Sequence, residues 1–245
     1  MKKILKTSLI TVGVVVGVPV LAFVGMFLKM NSEFSEFTPL ETGKITENIF
    51  VVKDNIANVF IVKDSAQYVV IDCGMNPENI AEQMKTLGVN PSDVTAVLLT
   101  HSDSDHAGGL SLFKNAKLYM AKEEVKMLNG ERAKFLWFGN AISRSDYTLV
   151  EDREKIQIGN LTFEGILAPG HTSGMTAFLL NDEYLFSGDI ASLKNGKLAP
   201  IPAFFDMDTE QAVKSIDIIR QLPTAKYIIT GHWGYTNDYQ AAVKK

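Results

Sequence analysis

The chain is poor in several residue types on which whole classes of site depend. Its 245 residues include one cysteine, which excludes an internal disulfide and any zinc or iron–sulfur site built from several cysteines. The net charge is −4, so the chain lacks the basic excess with which proteins bind nucleic acid, and no nucleic-acid partner is expected. There are only four histidines, and their positions carry most of the functional argument.

The first thirty residues have a character of their own. Residues 9–28 contain no charged side chain, and about twenty apolar helical residues span a bilayer core of about 30 Å. We therefore expect a transmembrane helix here, with a cleaved signal peptide as the alternative. Lysines 2, 3 and 6 precede the segment, which predicts a cytoplasmic N-terminus and a membrane-anchored, extracytoplasmic domain. The expected division is an anchor (or signal peptide) over 1–30, a linker over 31–45 and one domain over 46–245.

The rest of the chain alternates between strand and helix signals. Short apolar runs at 49–52, 59–62 and 68–71 predict a meander of strands. Helices are predicted over 77–87 and 209–222, with further strands and hairpins between them. This order predicts an α/β protein with two sheets and helices outside them.

All four histidines follow predicted strands or stand beside glycine. His101 and His106 lie in THSDSDHAGG, His171 in APGHTSG and His232 in ITGHWG, and Asp189 ends FSGD after another strand. Imidazole and carboxylate at this density are typical ligands of divalent zinc, iron or manganese. The pattern predicts a metal site at the ends of several strands.

The order H-x-D-x-D-H, G-H-T-x-G, S-G-D and G-H resembles the metallo-β-lactamase fold superfamily, in particular its glyoxalase II-like branch. The resemblance runs from about Thr46 to Trp233 and includes Asp72 after an early strand. It implies an αββα sandwich with two divalent ions, zinc first and manganese or iron as alternatives, in a cleft at one edge of the sheets. Carried over residue by residue, it assigns one ion to His101, Asp103 and His171, the other to Asp105, His106 and His232, and a bridging role to Asp189.

One position departs from the family's usual H-x-H-x-D-H, because Asp103 stands where a histidine is usual. A carboxylate adds negative charge and hardens the ligand set. His101, Asp103 and His171 by themselves also form a two-histidine, one-carboxylate set, which leaves a mononuclear iron oxidoreductase resembling persulfide dioxygenases as an alternative. A non-catalytic binding module of the same fold is the third hypothesis.

The expected reaction is hydrolysis by a metal-activated hydroxide, with Asp105 and Asp189 as the catalytic carboxylates. No G-x-S-x-G motif is present, and Cys73 has no histidine near it in sequence, so Cys73 is interpreted as a small buried side chain. A small ester, thioester, lactone or phosphodiester is the expected substrate. The resemblance points away from β-lactams, since true β-lactamases generally lack the aspartate at position 189.

Two groups of apolar residues near the expected site can each be interpreted in two ways. Residues 135–139 (FLWFG) form either a lid or membrane-facing wall, or the buried face of an irregular helix. Trp233 and Tyr235 either line the cleft or pack in the core.

Overall fold

The computed structural model describes residues 18, 20, 21, 23–134, 140, 142 and 144–244. The chain divides into two compact units, Met1–Phe37 and Thr38–Lys245. The apolar cluster predicted at 135–139 lies outside the described residues, as do residues 9–17, 19 and 22 of the predicted anchor.

In the first unit, residues 23–34 form a helix. Several of its apolar side chains are exposed, including Phe23 and Leu28. None of the helices among the described residues combines the length and the apolar character that a membrane crossing requires.

The second unit contains two main sheets. The first has seven strands in chain order, antiparallel from β1 to β4 and parallel from β4 to β7. These strands are β1 (Gly43–Lys44), β2 (Ile49–Asp54), β3 (Ala57–Asp64), β4 (Gln67–Ile71), β5 (Val94–Leu98), β6 (Lys117–Ala121) and β7 (Tyr147–Val150).

The second sheet has six strands in the order β15-β14-β11-β10-β9-β8, with one parallel pair, β11 and β14. Its strands are β8 (Lys155–Ile158), β9 (Leu161–Leu167), β10 (Thr176–Leu180), β11 (Tyr184–Gly188), β14 (Tyr227–Thr230) and β15 (Tyr235–Thr236). A separate two-stranded sheet pairs β12 (Ser192–Lys194) with β13 (Lys197–Ala199).

The helices of this unit are short; four lie between strands in the sequence and the last follows the final strand. They are α1 (Pro77–Thr86), α2 (Ser104–Ala107), α3 (Val125–Leu128), α4 (Thr209–Ile219) and α5 (Tyr239–Val243). Asn76 and Asp208 cap α1 and α4 by accepting hydrogen bonds from backbone N–H groups of the first turn, as is typical of helix starts.

Alternation along the strands explains the layers, because successive side chains of a strand point to opposite faces. In β3, Phe60 and Val62 join a cluster shared with Phe163 and Phe178 of the second sheet, so this cluster fills the space between the sheets. The two outer faces carry separate clusters, one with Ile80 of α1 and one with Ile216 of α4. The order helix, sheet, sheet, helix is the αββα sandwich that the resemblance implied.

Hydrogen bonds join the two sheets at the end of the sandwich where the histidines lie. Asn58 N–H in β3 donates to Gly231 O at 2.9 Å, and Thr176 N–H in β10 donates to Thr100 O at 2.9 Å. The first bond ties the loop after β14 to β3, and the second ties the loop after β5 to β10, so a strand of the opposite sheet holds each loop. Gly43–Lys44, inside the predicted linker, pairs with β2.

Candidate metal centre

The structure brings together all seven residues that the sequence predicts as metal ligands. The loop after β5 and helix α2 carry the first group, and the ends of β9, β11 and β14 carry the others. In chain order these residues are His101, Asp103, Asp105, His106, His171, Asp189 and His232.

Two groups of three residues face each other within this cluster. In the first half-site, formed by His101, Asp103 and His171, the Asp103 Oδ2 atom lies 3.5 Å from His101 Nε2 and 3.1 Å from His171 Nε2. In the second half-site, formed by Asp105, His106 and His232, the two imidazole Nε2 atoms lie 3.2 Å apart. Each group offers three potential ligand atoms within 4.8 Å of one another.

Asp189 lies between the half-sites. Its Oδ2 atom is 3.0 Å from His232 Nε2 and 3.6 Å from both His106 Nε2 and His171 Nε2. One carboxylate therefore reaches ligand atoms of both groups. Gly231 makes this approach possible, since a Cβ there would lie 2.3 Å from Asp189 Oδ1.

Each histidine turns its Nδ1 atom away from the centre toward an oxygen. His106 Nδ1 is 2.9 Å from Asp72 Oδ2, and His232 Nδ1 is 2.6 Å from the backbone oxygen of Ile56. His101 Nδ1 is 3.0 Å from Thr100 Oγ1, and His171 Nδ1 is 3.6 Å from Asp206 Oδ1. For His101, His106 and His232 the oxygen is within hydrogen-bond distance of Nδ1, which fixes the ring orientation and leaves Nε2 as the ligand atom, as in known metal sites.

Buried polar atoms without hydrogen-bond partners also indicate that the cluster could bind a divalent cation. Within the described part of the chain, His101 Nε2 and Asp189 Oδ1 are buried and have no hydrogen-bond partner. Buried polar atoms without a partner are costly, and a cation bound between them would satisfy both. Imidazole nitrogen with carboxylate oxygen is a donor set that zinc, iron and manganese accept.

The ionisable groups of the cluster shift one another's pKa. Burial raises the pKa of Asp189, but the imidazoles of His232 and His106 outweigh it and hold this pKa well below its usual value. Burial lowers the pKa of His106, but Asp189, Asp72 and Asp105 raise it well above the usual value. Burial and the neighbouring His106 lower the pKa of His101. The Asp189 carboxylate therefore stays ionised and attracts cations.

Asp72 holds both the loop after β5 and one ligand. Its backbone has a φ of 59°, a left-handed conformation that aspartate tolerates better than most residues. Its Oδ1 accepts hydrogen bonds from the N–H and Oγ1 groups of Thr100, while Oδ2 faces His106. Asp72 thus acts on the site through His106.

Glu124 is a functional residue that the sequence did not reveal. It is fully buried, and its Oε2 accepts hydrogen bonds from Ser102 N–H at 2.8 Å and Ser102 Oγ at 2.5 Å. Its Oε1 accepts from Thr172 Oγ1 at 2.6 Å and Gly174 N–H at 2.8 Å. One carboxylate thereby ties the loop of His101 to the loop of His171.

Lys134 also lies in the centre and was missed by the sequence analysis. Its Nζ atom is 2.5 Å from Asp103 Oδ2 and 2.9 Å from His171 Nε2. Burial raises the pKa of Asp103, but the Lys134 ammonium and the two imidazoles outweigh it and hold this pKa well below its usual value. A lysine in a stretch of mixed charge carries no sequence signal for such a position, and Glu124 in KEE and Asp206 in FFDMD carry none either.

Three other residues singled out from the sequence can be placed. Cys73 is buried, and burial raises its thiol pKa well above the usual value, which confirms its interpretation as a buried side chain. Trp233 is buried with its ring 5.3 Å from that of His232, whereas Tyr235 is 40% exposed. Trp233 therefore packs in the core directly behind a ligand.

Comparison with known proteins gives a family match. The family model described as the metallo-β-lactamase superfamily matches residues 52–232. This range includes every residue of both half-sites.

Relatives with similar sequences cover part of the chain. A probable metallo-hydrolase of Methanocaldococcus jannaschii is 32% identical over 155 residues, which are 63% of this chain and 64% of the relative. A hydroxyacylglutathione hydrolase of Serratia proteamaculans is 28% identical over 169 residues, 67% of this chain and 56% of the relative. An N-acyl homoserine lactonase of Azorhizobium caulinodans is 28% identical over 174 residues, 63% of this chain and 64% of the relative. The chain thus spans less than two thirds of the length of these relatives.

Solved structures share the fold at lower sequence identity. The crystal structure of a subclass B3 metallo-β-lactamase of Bradyrhizobium japonicum superposes with a TM-score of 0.65 and 19% identity, covering 80% of this chain and 79% of that one. At this identity the similarity supports the fold alone.

Proposed function

Because this chain belongs to the metallo-β-lactamase superfamily, we propose that it is a metal-dependent hydrolase with two divalent ions, zinc first, acting on a small ester, thioester, lactone or phosphodiester. The observation that carries the proposal is the pair of half-sites that meet at Asp189. Among the relatives are a lactonase and a hydroxyacylglutathione hydrolase, which favours lactones and thioesters as the first substrates to test.

Different residues of this chain would have different roles in such a reaction. Divalent ions bound by these ligands would lower the pKa of a water molecule and polarise the scissile carbonyl or phosphoryl group. Asp105, whose Oδ2 lies 3.5 Å from His232 Nε2 and whose side chain is 20% exposed, faces both the second half-site and the solvent. We assign it the transfer of a proton, with Asp189 as the carboxylate shared by both half-sites.

A substrate panel tests this proposal. Full-length protein reconstituted with zinc, manganese or iron is assayed on thioesters, acyl lactones, carboxyl esters, phosphodiesters and a β-lactam. We expect hydrolysis of at least one acyl substrate with zinc or manganese. Hydrolysis of nothing in the panel, with full metal occupancy, would contradict the proposal.

A second candidate is favoured by one observation. His101, Asp103 and His171 form a two-histidine, one-carboxylate group, which is the ligand set of many non-haem iron oxygenases. The same preparations distinguish the candidates, because an iron oxidoreductase consumes oxygen with a thiol or persulfide substrate and depends on iron alone. Three ligands in the second half-site favour the hydrolase.

We further propose that residues 9–28 anchor the chain in a membrane with the domain outside the cytoplasm. The absence of charge over these residues and the lysines before them support this proposal. Fractionation tests it: an anchored chain stays with membranes after alkaline extraction and is degraded by protease added outside intact cells. Release by alkaline extraction would contradict it.

A further inference from the structure

The ammonium group of Lys134 lies inside the first half-site. Its Nζ atom is within hydrogen-bond distance of Asp103 Oδ2, at 2.5 Å, and of His171 Nε2, at 2.9 Å. Its side chain is only 9% exposed. A positive charge of the chain itself thus contacts two of the three ligand atoms of this half-site.

Two described residues on either side of Lys134 in the sequence, Arg132 and Asn140, contact loops of this half-site. The Arg132 N–H donates to Lys126 O at 3.0 Å, and the Arg132 side chain reaches Ser173 Oγ at 3.5 Å. On the other side, the Asn140 amide donates to Ser102 O. Ser102 lies next to His101, and Ser173 lies two residues after His171, so Arg132 and Asn140 both contact loops that carry ligands of the first half-site.

A metal ion and the Lys134 ammonium group cannot occupy the first half-site at the same time. A zinc ion shared by Asp103 and His171 would lie about 2.0–2.2 Å from each ligand atom, between the same two atoms that Lys134 contacts. Two cations that close repel each other strongly. Binding of an ion by the first half-site therefore requires Lys134 to move away.

We propose that Lys134 is a built-in competitor for the metal ion of the first half-site, so that the two half-sites bind metal with unequal affinity. This inference rests on the proposed function. In the second half-site, His106 Nε2 lies 3.2 Å from His232 Nε2, and Asp105 Oδ2 lies 3.8 Å from His106 Nε2 and 3.5 Å from His232 Nε2. That half-site fills first, and the first half-site fills at higher metal concentration.

The departure from the family pattern at Asp103 fits this role. An imidazole at this position would offer one nitrogen to a metal, whereas a carboxylate also forms a charge-assisted hydrogen bond with an ammonium group. Asp103 and Lys134 therefore form a pair in which the lysine compensates the charge of the aspartate until a metal replaces it.

A zinc titration tests the proposal. Metal-depleted full-length protein is titrated with zinc ions in competition with a chromophoric chelator, and the two dissociation constants are compared for wild type and Lys134→Met. The variant keeps the length of the side chain and loses its charge. We expect the weaker binding step to tighten about ten- to a hundredfold, as for the loss of one charge-assisted hydrogen bond, with the tighter step unchanged.

Lys126→Met is the matched control. Lys126 is an exposed lysine of the nearby helix α3, and its side chain forms no ion pair within the described part of the chain. We expect its two zinc constants to match those of wild type. Lys134→Gln, which is also uncharged, should reproduce the effect of Lys134→Met, and thermal unfolding of each metal-free protein shows that the variants are folded.

The outcomes separate this inference from the proposed function. The role of Lys134 would be overturned if Lys134→Met left both zinc dissociation constants unchanged or weakened the second binding step. The metallohydrolase proposal would still stand, because the protein would still bind two zinc ions. If wild type and all variants bind no zinc, both proposals fail.

Discussion

At the scale of single residues, the site depends on side chains behind the ligands as much as on the ligands themselves. Asp72 orients His106, and Asp206 faces His171 from behind. Carboxylates in this position fix the tautomer of a ligating histidine and strengthen it as a ligand. The geometry of the centre is therefore set by residues that need not touch a metal ion.

The contacts of Asp72 lead to a prediction. Asp72→Asn keeps the shape of the side chain, and asparagine tolerates the left-handed backbone at this position, but the charge facing His106 Nδ1 is lost. We expect zinc affinity to fall about ten- to a hundredfold, as for other residues behind metal ligands. Zinc titration and kcat measure the effect, and an unchanged affinity would show that the contact with His106 is unimportant for binding.

The metal ligands could be predicted from the sequence, but the residues that position them could not. Histidine is scarce in this chain, so four histidines at strand ends form a strong pattern. Glu124 and Asp206 belong to common residue types, and only the folded chain shows that they are buried and face the site. Their roles depend on distant partners, which local sequence does not encode.

At the scale of elements, the site is made of loops that strands hold in place. Glu124, directly before α3, accepts hydrogen bonds from the loop after β5 and from the loop after β9. Two of its four donors are backbone N–H groups, of Ser102 and Gly174. These groups can only donate, so each oxygen of the carboxylate must accept.

This requirement makes a conservative substitution disruptive. Glu124→Gln places an NH₂ group against one of the two backbone N–H groups, which leaves a buried donor without an acceptor. We expect a loss of about 1–3 kcal/mol in the free energy of unfolding together with weaker zinc binding at the first half-site. Urea unfolding of the metal-free protein and zinc titration measure the two effects.

Glu123→Gln is the matched control, since Glu123 is the exposed neighbour in the same turn. It should unfold at the wild-type urea concentration and bind zinc as wild type does. Equal behaviour of the two variants would mean that Glu124 does not tie the loops together.

Strands whose side chains follow a regular pattern of burial could be predicted from the sequence. The runs at 49–52, 59–62 and 68–71 correspond to β2, β3 and β4, because each strand buries side chains on one or both faces. Strands β1, β12, β13 and β15 have two or three residues each, too few to show a period. Residues 122–128 form a 3₁₀ turn followed by α3, which is also too short for a clear helical period.

At the scale of the whole molecule, two sheets must keep their relative position for the half-sites to meet. Asp64, at the end of β3, accepts hydrogen bonds from the N–H and the side-chain amide of Asn160, in the turn between β8 and β9. Gly159 permits this approach, since a Cβ there would lie 2.1 Å from Asp64 Oδ2. One carboxylate thus joins the two sheets.

Asp64 gives the fold a dependence on pH. The hydrogen bonds from Asn160 lower its pKa below the usual value of 3.8, so its contribution to stability is complete above that value and is lost as the pH falls through the lower pKa of the folded protein. We expect Asp64→Asn to be less stable than wild type at pH 7 and the difference to shrink as the pH falls below about 4. Urea midpoints of metal-free protein from pH 7 to pH 3 measure this.

Asp93→Asn removes an exposed carboxylate and serves as the control, with a midpoint that follows wild type at every pH. A gap between wild type and Asp64→Asn that stays constant down to pH 3 would contradict the role assigned to the Asp64 carboxylate.

The central claim is that this site is a catalytic metal centre, and metal removal and return tests it most directly. Full-length protein is stripped with a chelator and titrated with zinc ions while hydrolysis of a lactone and a thioester is followed. We predict no hydrolysis by the stripped protein, recovery as zinc binds, and a loss of at least about a hundredfold in Asp189→Asn, whose altered carboxylate lies between both half-sites. Full activity of the stripped protein, or activity of Asp189→Asn equal to wild type, would contradict the account.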